Sequence, residues 1–340
     1  MSPIAPALER LGDEVAALTA RLGARVDVEG LGVSDRAGQL ALDEPGLVSA
    51  NRACHLVRAA DGWIAANLAR EEDRELVPAW LHGEAGDDPW PAIERCAADR
   101  ACADLLAGAV LLGLPVARVG EAVADEAATP RLRIGSPRRL AGPPRVVDLS
   151  ALWAGPMCGA ILAAMGAQVT KIESLRRPDP TRVSTPEFFR RLNGGKTELQ
   201  LDFAAPDGRA RLYDAFVGAD VVITSARPRA FAGLGLPPEE IFAANRTLVW
   251  VAITGHGWTG AAGERVGFGD DTAAAGGLVR WTAAGEPRFV GDALADPVTG
   301  LGAAIGALQA LADGGGWLVD VAMARCAAAA ASLCRLGAAA

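Results

Sequence analysis

Arg145-Val-Val-Asp-Leu149, the small apolar run from Cys158 to Met165, and Gln168-Val-Thr-Lys-Ile-Glu173 together decide the fold class of this chain. The first run is short, apolar and ends in polar residues, as a buried strand does. The second repeats apolar residues at helical spacing, and the third alternates as a strand. Strand, helix and strand within about thirty residues make a βαβ unit, which requires its two strands to run parallel.

The alternation continues outward. Thr197 to Leu201 reads as a strand, and Pro206 starts a helix over Asp207 to Val217. Asp220-Val-Val-Ile-Thr224 is a strand, Pro237 to Ala244 a helix, and Leu248 to Thr254 another strand. A long helix from about Pro297 to Ala312 precedes the strand Trp317 to Ala322. This pattern predicts an α/β fold with a doubly wound, Rossmann-like parallel sheet in a large domain over residues 131–340.

Upstream the pattern changes. Leu8 to Leu22 is helical and Asp27 to Pro45 irregular, giving a helix and linker over residues 1–50. His55-Leu-Val-Arg58 and Trp63-Ile-Ala-Ala-Asn67 flank Asp61-Gly62, a hairpin signal. Helical spacing returns at Glu71 to Leu81, Trp90 to Cys96 and Ala101 to Leu112. Residues 51–130 are therefore expected to form a smaller α+β domain, joined to the large one through the Pro-rich stretch Gly135 to Pro144.

Composition narrows the function classes. The 340 residues suffice for two cores, and 51% hydrophobic with 22% charged is ordinary for a globular chain. A net charge of −8 disfavours a nucleic-acid partner. Lys171 and Lys196 are the only lysines, so phosphate recognition would fall to arginine. Met1 to Arg25 mixes apolar and charged residues without a continuous apolar core, and Leu301 to Ala312 falls short of the roughly 20 residues of a membrane span. A cytoplasmic protein with no membrane partner is expected. Cys54, Cys96, Cys102, Cys158, Cys326 and Cys334 show no C-x-x-C spacing and read as reduced thiols. His55, His82 and His256 are scattered, so no metal is expected.

The turn after the first strand, Ser150-Ala-Leu-Trp-Ala-Gly-Pro156, is not a G-x-G-x-x-G fingerprint, and the chain has no P-loop or G-x-S-x-G elbow. Neither a nicotinamide nor a flavin cofactor is expected. On spacing alone Asp296-Pro297 reads first as an N-cap followed by N1, while a reactive carboxylate at a helix N-terminus is also compatible with it. Asp270 and Asp271 read as loop solvation, Asp292 as an exposed strand-end carboxylate, and His256 as a loop or half-buried histidine.

From about Pro144 to Ala324 the chain resembles the family III CoA-transferases, the formyl-CoA and carnitine-CoA transferase group. The resemblance rests on Val147-Asp-Leu-Ser-Ala-Leu-Trp-Ala-Gly-Pro156, Met165-Gly-Ala-Gln-Val-Thr-Lys-Ile-Glu173 and Asp179-Pro-Thr-Arg182. Asn193-Gly-Gly-Lys196, Pro206-Asp-Gly208, Ala219-Asp-Val-Val222, Gly291-Asp-Ala-Leu-Ala-Asp296 and Val319-Asp-Val-Ala-Met323 follow in order. It implies an acyl-CoA:carboxylate CoA-transferase with coenzyme A as substrate and Asp296 as the nucleophile, working through aspartyl anhydride and aspartyl-CoA stages. It also implies that Trp153 and Ala154 line the coenzyme pocket, with Leu201, Asp202 and Phe203, and Ser225, Ala226 and Arg227, in the loops beside the nucleotide. Trp153 stands where a founding member has Gln, and Ser174 and Gly233 stand where it has phosphate-binding arginines. Arg176, Arg177, Arg227 and Arg229 are the replacements at hand. Phe268 occupies the histidine position of the related α-methylacyl-CoA racemases, which disfavours two-base racemisation.

The order of segments departs from the family. Cys54 to Ala65 resembles the small domain's opening and Leu112-Gly-Leu-Pro-Val-Ala117 its closing turn, while Leu132 to Gly142 resembles the family's last strand running into its first. A circular permutation is the reading this order implies. Family dimers interlock, so a homodimer is expected, one that can assemble without threading, or else a heteromer with a related subunit. The family's glycine-rich loop has no evident counterpart, unless Glu44 to Ala53 takes its place. Its loss would favour hydrolysis over transfer. Two alternatives stay open: another acyl-CoA activity on this fold (isomerase, racemase or hydrolase), and a non-catalytic acyl-CoA-binding or partner subunit.

Overall fold

The protein is described from a computed structural model covering residues 2–124, 128–138 and 142–336. Parts of the linker Gly135 to Pro144, of the run Leu132 to Gly142 and of the Ala-rich tail lie outside the described residues.

The chain opens with helix α1 (Ala5–Leu22) and the single turn α2 (Val28–Leu31). Strands β1 (Cys54–Ala59), β2 (Gly62–Asn67) and β3 (Val116–Arg118) form an antiparallel sheet in that order. Between β2 and β3 lie α3 (Glu71–Glu75), α4 (Val77–Leu81), α5 (Trp90–Ala98) and α6 (Cys102–Leu112). The single helix expected over Glu71 to Leu81 is two. Its apolar spacing carries across Leu76, but Pro78 supplies no N–H for a continuing ladder, and the chain restarts at Val77 with proline in the new first turn.

Strand β4 (Arg131–Arg133) leads into β5 (Arg145–Leu149), α7 (Ala154–Ala164) and β6 (Gln168–Ser174). After α8 (Thr181–Ser184) and α9 (Pro186–Asn193) come β7 (Thr197–Leu201), α10 (Pro206–Gly218) and β8 (Val221–Thr224). Helices α11 (Pro228–Gly233) and α12 (Pro238–Ala244) precede β9 (Val249–Thr254). Then follow α13 (Gly269–Ala275), the hairpin of β10 (Val279–Trp281) and β11 (Pro287–Phe289), α14 (Ala295–Ala312), β12 (Trp317–Ala322) and α15 (Met323–Cys334).

The large sheet has seven strands in the order β4-β12-β9-β8-β5-β6-β7, all parallel except the edge pair β4 with β12. Chain order reverses between β5 and β8, the switch point of a doubly wound α/β sheet, and the predicted βαβ unit is β5–α7–β6. Every residue of β8 and β9 is buried, as expected for strands covered by helices on both faces.

One packing detail places the site. Helix α14 lies against α7 through Gly300, where an added Cβ would stand 2.8 Å from Met157 Sδ and 3.0 Å from the Ala154 carbonyl oxygen. Glycine lets the two backbones approach, which brings the first turn of α14 beside the first turn of α7. Helix α1 packs against α14 and α15, and its Ala7 and Val15, with Ile4 at its N-cap, join the same core.

Candidate functional site

At the carboxyl end of β5 the chain turns through Ser150 to Trp153 into α7, with Leu152 in the left-handed region at φ 71°. That conformation costs about 1–3 kcal/mol in a non-glycine residue and persists only where its surroundings hold it. Asp179 Oδ2 accepts from the Leu152 N–H at 3.1 Å, and Lys171 Nζ donates to the Ser150 carbonyl at 2.9 Å. Beneath them Lys196 Nζ donates to Asp148 Oδ2 at 2.7 Å, to the Pro156 carbonyl at 2.8 Å and to Asn193 Oδ1 at 2.8 Å. This buried network aims the Ala154 N–H outward from the start of α7. Its acceptor, at 3.3 Å, is Asp296 Oδ1.

Asp296 is the second residue of α14, which starts at Ala295 and not at Pro297. Proline fits anywhere in a first helical turn, where its missing N–H has no partner to lose, so it marks a helix start only to within a turn. No side chain caps α14. The carboxylate reaches across to α7, so the N-cap reading of Asp296 does not hold. Its other oxygen faces Gly269, where an added Cβ would stand 2.1 Å from Asp296 Oδ2. Ala293, at φ 46°, shapes the turn before the helix, and its N–H donates to Asp270 Oδ1 at 2.8 Å.

Two more carboxylates, Asp270 and Asp292, act on this turn, and Asp271 lies next to Asp270. Asp270 and Asp271 are buried in the first turn of α13, which corrects their reading as loop solvation. Asp271 Oδ1 accepts from the Phe268 N–H at 2.9 Å, the work of an acidic N3 residue, and from Asn67 Nδ2 at 2.9 Å. Asn51 Nδ2 donates to Asp270 Oδ2 at 2.7 Å and to Asp292 Oδ1 at 3.1 Å. Asp292 is no exposed strand-end group: its side chain is 9% exposed and takes two bonds from Arg36, Nε to Oδ2 at 2.6 Å and Nη2 to Oδ1 at 2.8 Å.

Burial pushes the Asp296 carboxyl up to about 7, against the pull of Arg36 and the Ala154 N–H and with the help of Asp270 and Asp292. Asp270 is pushed up to about 6 by burial and by Asp292, and Asp271 to about 7 by burial. Among the described residues none of the three has a directly bonded cation, so the desolvation cost of its charge is met there by neutral donors. Among the described residues no group of three or more His, Cys, Asp or Glu is arranged to hold a metal. The His256 side chain is 5% exposed and its pKa is pushed down to about 3 by desolvation, hence neutral, with Nδ1 3.8 Å from Glu121. His256 lies in a bend and is half-buried as a residue, as expected, with its ring turned inward.

The remaining sequence candidates lie along the carboxyl ends of the parallel strands. Trp153 is buried at the N-cap of α7, its Nε1 donating to the Val33 carbonyl at 2.8 Å and its ring edge-on to Phe188. Arg176 follows β6 and makes two 3.1 Å bonds to Asp202. Arg177 is exposed beside it, Leu201 is buried at the end of β7, and Phe203 packs partly into the core under it. Ser225 Oγ accepts from the Ala151 N–H at 3.0 Å, tying the loop after β8 to the loop after β5, and Ala226 is partly buried. Arg227 Nη1 donates to the Glu264 carbonyl at 3.1 Å, and Arg229 pairs with the Glu264 carboxylate at 3.2 Å. Trp153, Ala154 and Asp296 thus form one cluster, with Arg176, Arg177 and Asp202 on one side of the switch point and Arg227 and Arg229 on the other.

The site also contains Arg36, Asn51, Asn67 and Gly269, which the sequence reading did not select. Asn51 lies in the stretch Glu44 to Ala53 considered for the missing loop. The others join the site through contacts that no local pattern announces; Arg36 and Asp292 are 256 residues apart. A cavity of about 590 Å³ bounded by Arg21, Met165 and Asp313 contains none of these side chains.

A family model described as CoA-transferase family III matches residues 141–335. A succinyl-CoA–D-citramalate CoA-transferase of Chloroflexus aurantiacus is 32% identical over 194 residues, covering 52% of this chain and 47% of the relative. A succinate–glutarate CoA-transferase of Agrobacterium fabrum is 31% identical over 199 residues, covering 53% and 50%. The crystal structure of a CAIB/BAIF family protein from Brucella suis superposes with a TM-score of 0.52 at 31% identity, over 58% of this chain and 56% of that one. The chain spans about half the length of the curated relatives it matches.

Proposed function

The chain belongs to CoA-transferase family III, and from that premise we propose that it moves coenzyme A between carboxylic acids with Asp296 as the nucleophile. One Asp296 oxygen adds to the thioester carbonyl; the C–S bond breaks, coenzyme A leaves as thiolate, and a mixed aspartyl anhydride remains. The thiolate adds to the aspartyl carbonyl, releasing the donor acid as carboxylate and leaving aspartyl-CoA. The acceptor carboxylate displaces that thiolate to form the second anhydride. The thiolate then takes the acceptor acyl group as a new thioester and restores Asp296. No net proton is taken up or released.

The observation that carries this reading is the direction of the Asp296 carboxylate: it leaves its own helix uncapped and lies under the Ala154 N–H at 3.3 Å. A donor in that position can hold the oxyanion that forms when thiolate attacks the aspartyl carbonyl. The pantetheine arm would enter past Trp153 and the nucleotide would lie over the ends of β6, β7 and β8, with Arg176, Arg177, Arg227 and Arg229 available to its phosphates. The names of the relatives favour small dicarboxylic acids as the acyl groups. A non-catalytic acyl-CoA-binding role keeps one observation on its side: Arg176 and Arg229 are already engaged by Asp202 and Glu264.

The test is transfer from a panel of acyl-CoAs to a panel of acids, with hydroxylamine trapping and mass spectrometry of the Asp296 peptide. We expect an adduct on Asp296, loss of turnover in Asp296→Ala, and a rate that falls roughly tenfold per pH unit below about 7 as the carboxylate takes up a proton. Undiminished turnover in Asp296→Ala refutes the mechanism; tight acyl-CoA binding without turnover in the wild type leaves the binding role.

A further inference from the structure

An acid that exchanges at Asp296 arrives as an anion, and the walls it meets are acidic. Asp270 and Asp292 both act on the turn that carries Asp296, Asp270 through the Ala293 N–H. Among the described residues, Arg36 is the one cation whose charge acts on Asp296. It stands outside the family-matched residues 141–335.

The guanidinium is held from several directions. Its carbon lies 5.1 Å from the centre of the Trp153 ring, and Nε and Nη2 bond Asp292. The loop bearing it is fixed where the Trp153 Nε1 donates to the Val33 carbonyl and Arg191 Nη1 donates to the Gly32 carbonyl at 2.8 Å. An arginine has five N–H donors and Asp292 uses two; among the described residues nothing takes the other three. Asp292 has a second donor in Asn51 Nδ2, so it keeps a partner when Arg36 turns to another anion. The pair is built to be exchanged.

We propose that Arg36 is the anchor for the carboxylate that enters at Asp296, and that Asp292 occupies the guanidinium fork until the acid arrives. Arg36 is then the residue that sets affinity for the acceptor acid, and it acts by touching that substrate. The inference rests on the transferase reading. A charge-assisted bidentate pair in a half-buried pocket corresponds to roughly 10- to 100-fold in affinity.

The experiment uses the full chain with succinyl-CoA as donor and glutarate as acceptor, plus exchange of labelled succinate into succinyl-CoA, at pH 9 where Asp296 stays ionised in every variant. Arg36→Gln should raise KM for the free acid roughly 10- to 100-fold while KM for the acyl-CoA and single-turnover acylation of Asp296 change by less than about threefold. Arg36→Lys should recover part of the loss, and Asp292→Asn, which frees the fork, should lower KM for the acid. Equal effects of Arg36→Gln on both substrates, no effect on either, or a rise in acid KM in Asp292→Asn overturns the anchor. If Arg36→Gln does not fold, Arg36→Lys and Asp292→Asn decide by the same criteria. Absence of exchange in the wild type with every acyl-CoA of the panel refutes the transferase reading itself.

Discussion

Replacing Asp271 with Asn should make the protein more stable relative to wild type as pH rises. Asp271 is fully buried, accepts from the Phe268 N–H and Asn67 through Oδ1, and has no partner for Oδ2 among the described residues. Burial pushes its carboxyl from 3.8 up to about 7. A folded pKa above the unfolded one means that the native state binds the proton more tightly, so this group's contribution is complete below about pH 4 and is lost as pH rises to about 7. A shift of about 3 units at 1.36 kcal/mol each makes the total loss about 4 kcal/mol. Asn keeps the Oδ1 acceptor and cannot ionise; its unsatisfied amide costs about 1–3 kcal/mol at every pH alike. The difference between variant and wild type should therefore move in the variant's favour by about 2.5 kcal/mol between pH 5 and pH 8, and stay level above pH 8. Urea unfolding of both proteins at pH 5, 6, 7 and 8 measures it. A gap that does not change with pH would falsify the claim that Asp271 is held as an acid by burial.

Two further substitutions separate the site from its scaffold. Gly269→Ala sets a methyl group where Asp296 Oδ2 lies 2.1 Å and Ala293 Cβ 2.6 Å away, so the carboxylate must turn from the Ala154 N–H. Transfer should fall at least about 100-fold with an unchanged circular-dichroism spectrum, and full activity would show that the direction of Asp296 does not matter. Lys196→Met leaves Asp148 charged at the centre of the β5–α7 loop network, where both side chains are 0% exposed. Unfolding free energy should drop by about 3–5 kcal/mol, and the double variant with Asp148→Asn should recover part of it; a drop under about 1 kcal/mol contradicts a buried pair of this kind.

The α/β fold was legible because each of its signals is local. The strand β5, the small apolar helix α7 and the alternating β6 each announce themselves within a dozen residues, and short connections leave few ways to join them. Helix α13 was not, because Gly269-Asp-Asp-Thr272 has the composition of a solvated turn. What makes it a buried helix start is the docking of β2 and the Ser49–Ala53 turn, whose Asn67 and Asn51 each donate to one of the two carboxylates. A hint was present in the sequence: an acidic residue, Asp271, three positions after Phe268 and ahead of Thr272 and three alanines, fits the acidic half of a capping box. Asp296 was singled out through ordered motifs, since spacing alone favoured a cap. Arg36 carries no local mark at all, since its partners are a tryptophan and a carboxylate far along the chain.

On the proposed transferase reading, the chemistry explains why such a site is built from weakly supported carboxylates. Exchange between thioesters and anhydrides needs a nucleophile that is both ionised and basic. A carboxylate at the usual 3.8 is ionised but a weak base, whereas one far above neutrality carries a proton that blocks attack. A value near 7 divides the two demands, and it comes from burying Asp296 among Asp270 and Asp292 while admitting one arginine at a distance. A cation bonded directly to Asp296 would draw its value back down and quench the nucleophile. A pocket without any cation would repel each free carboxylate that the exchange requires. On the transferase reading, Arg36 engaged by Asp292 meets both conditions: it lies close enough to receive an anion, and it is held by another carboxylate until one comes.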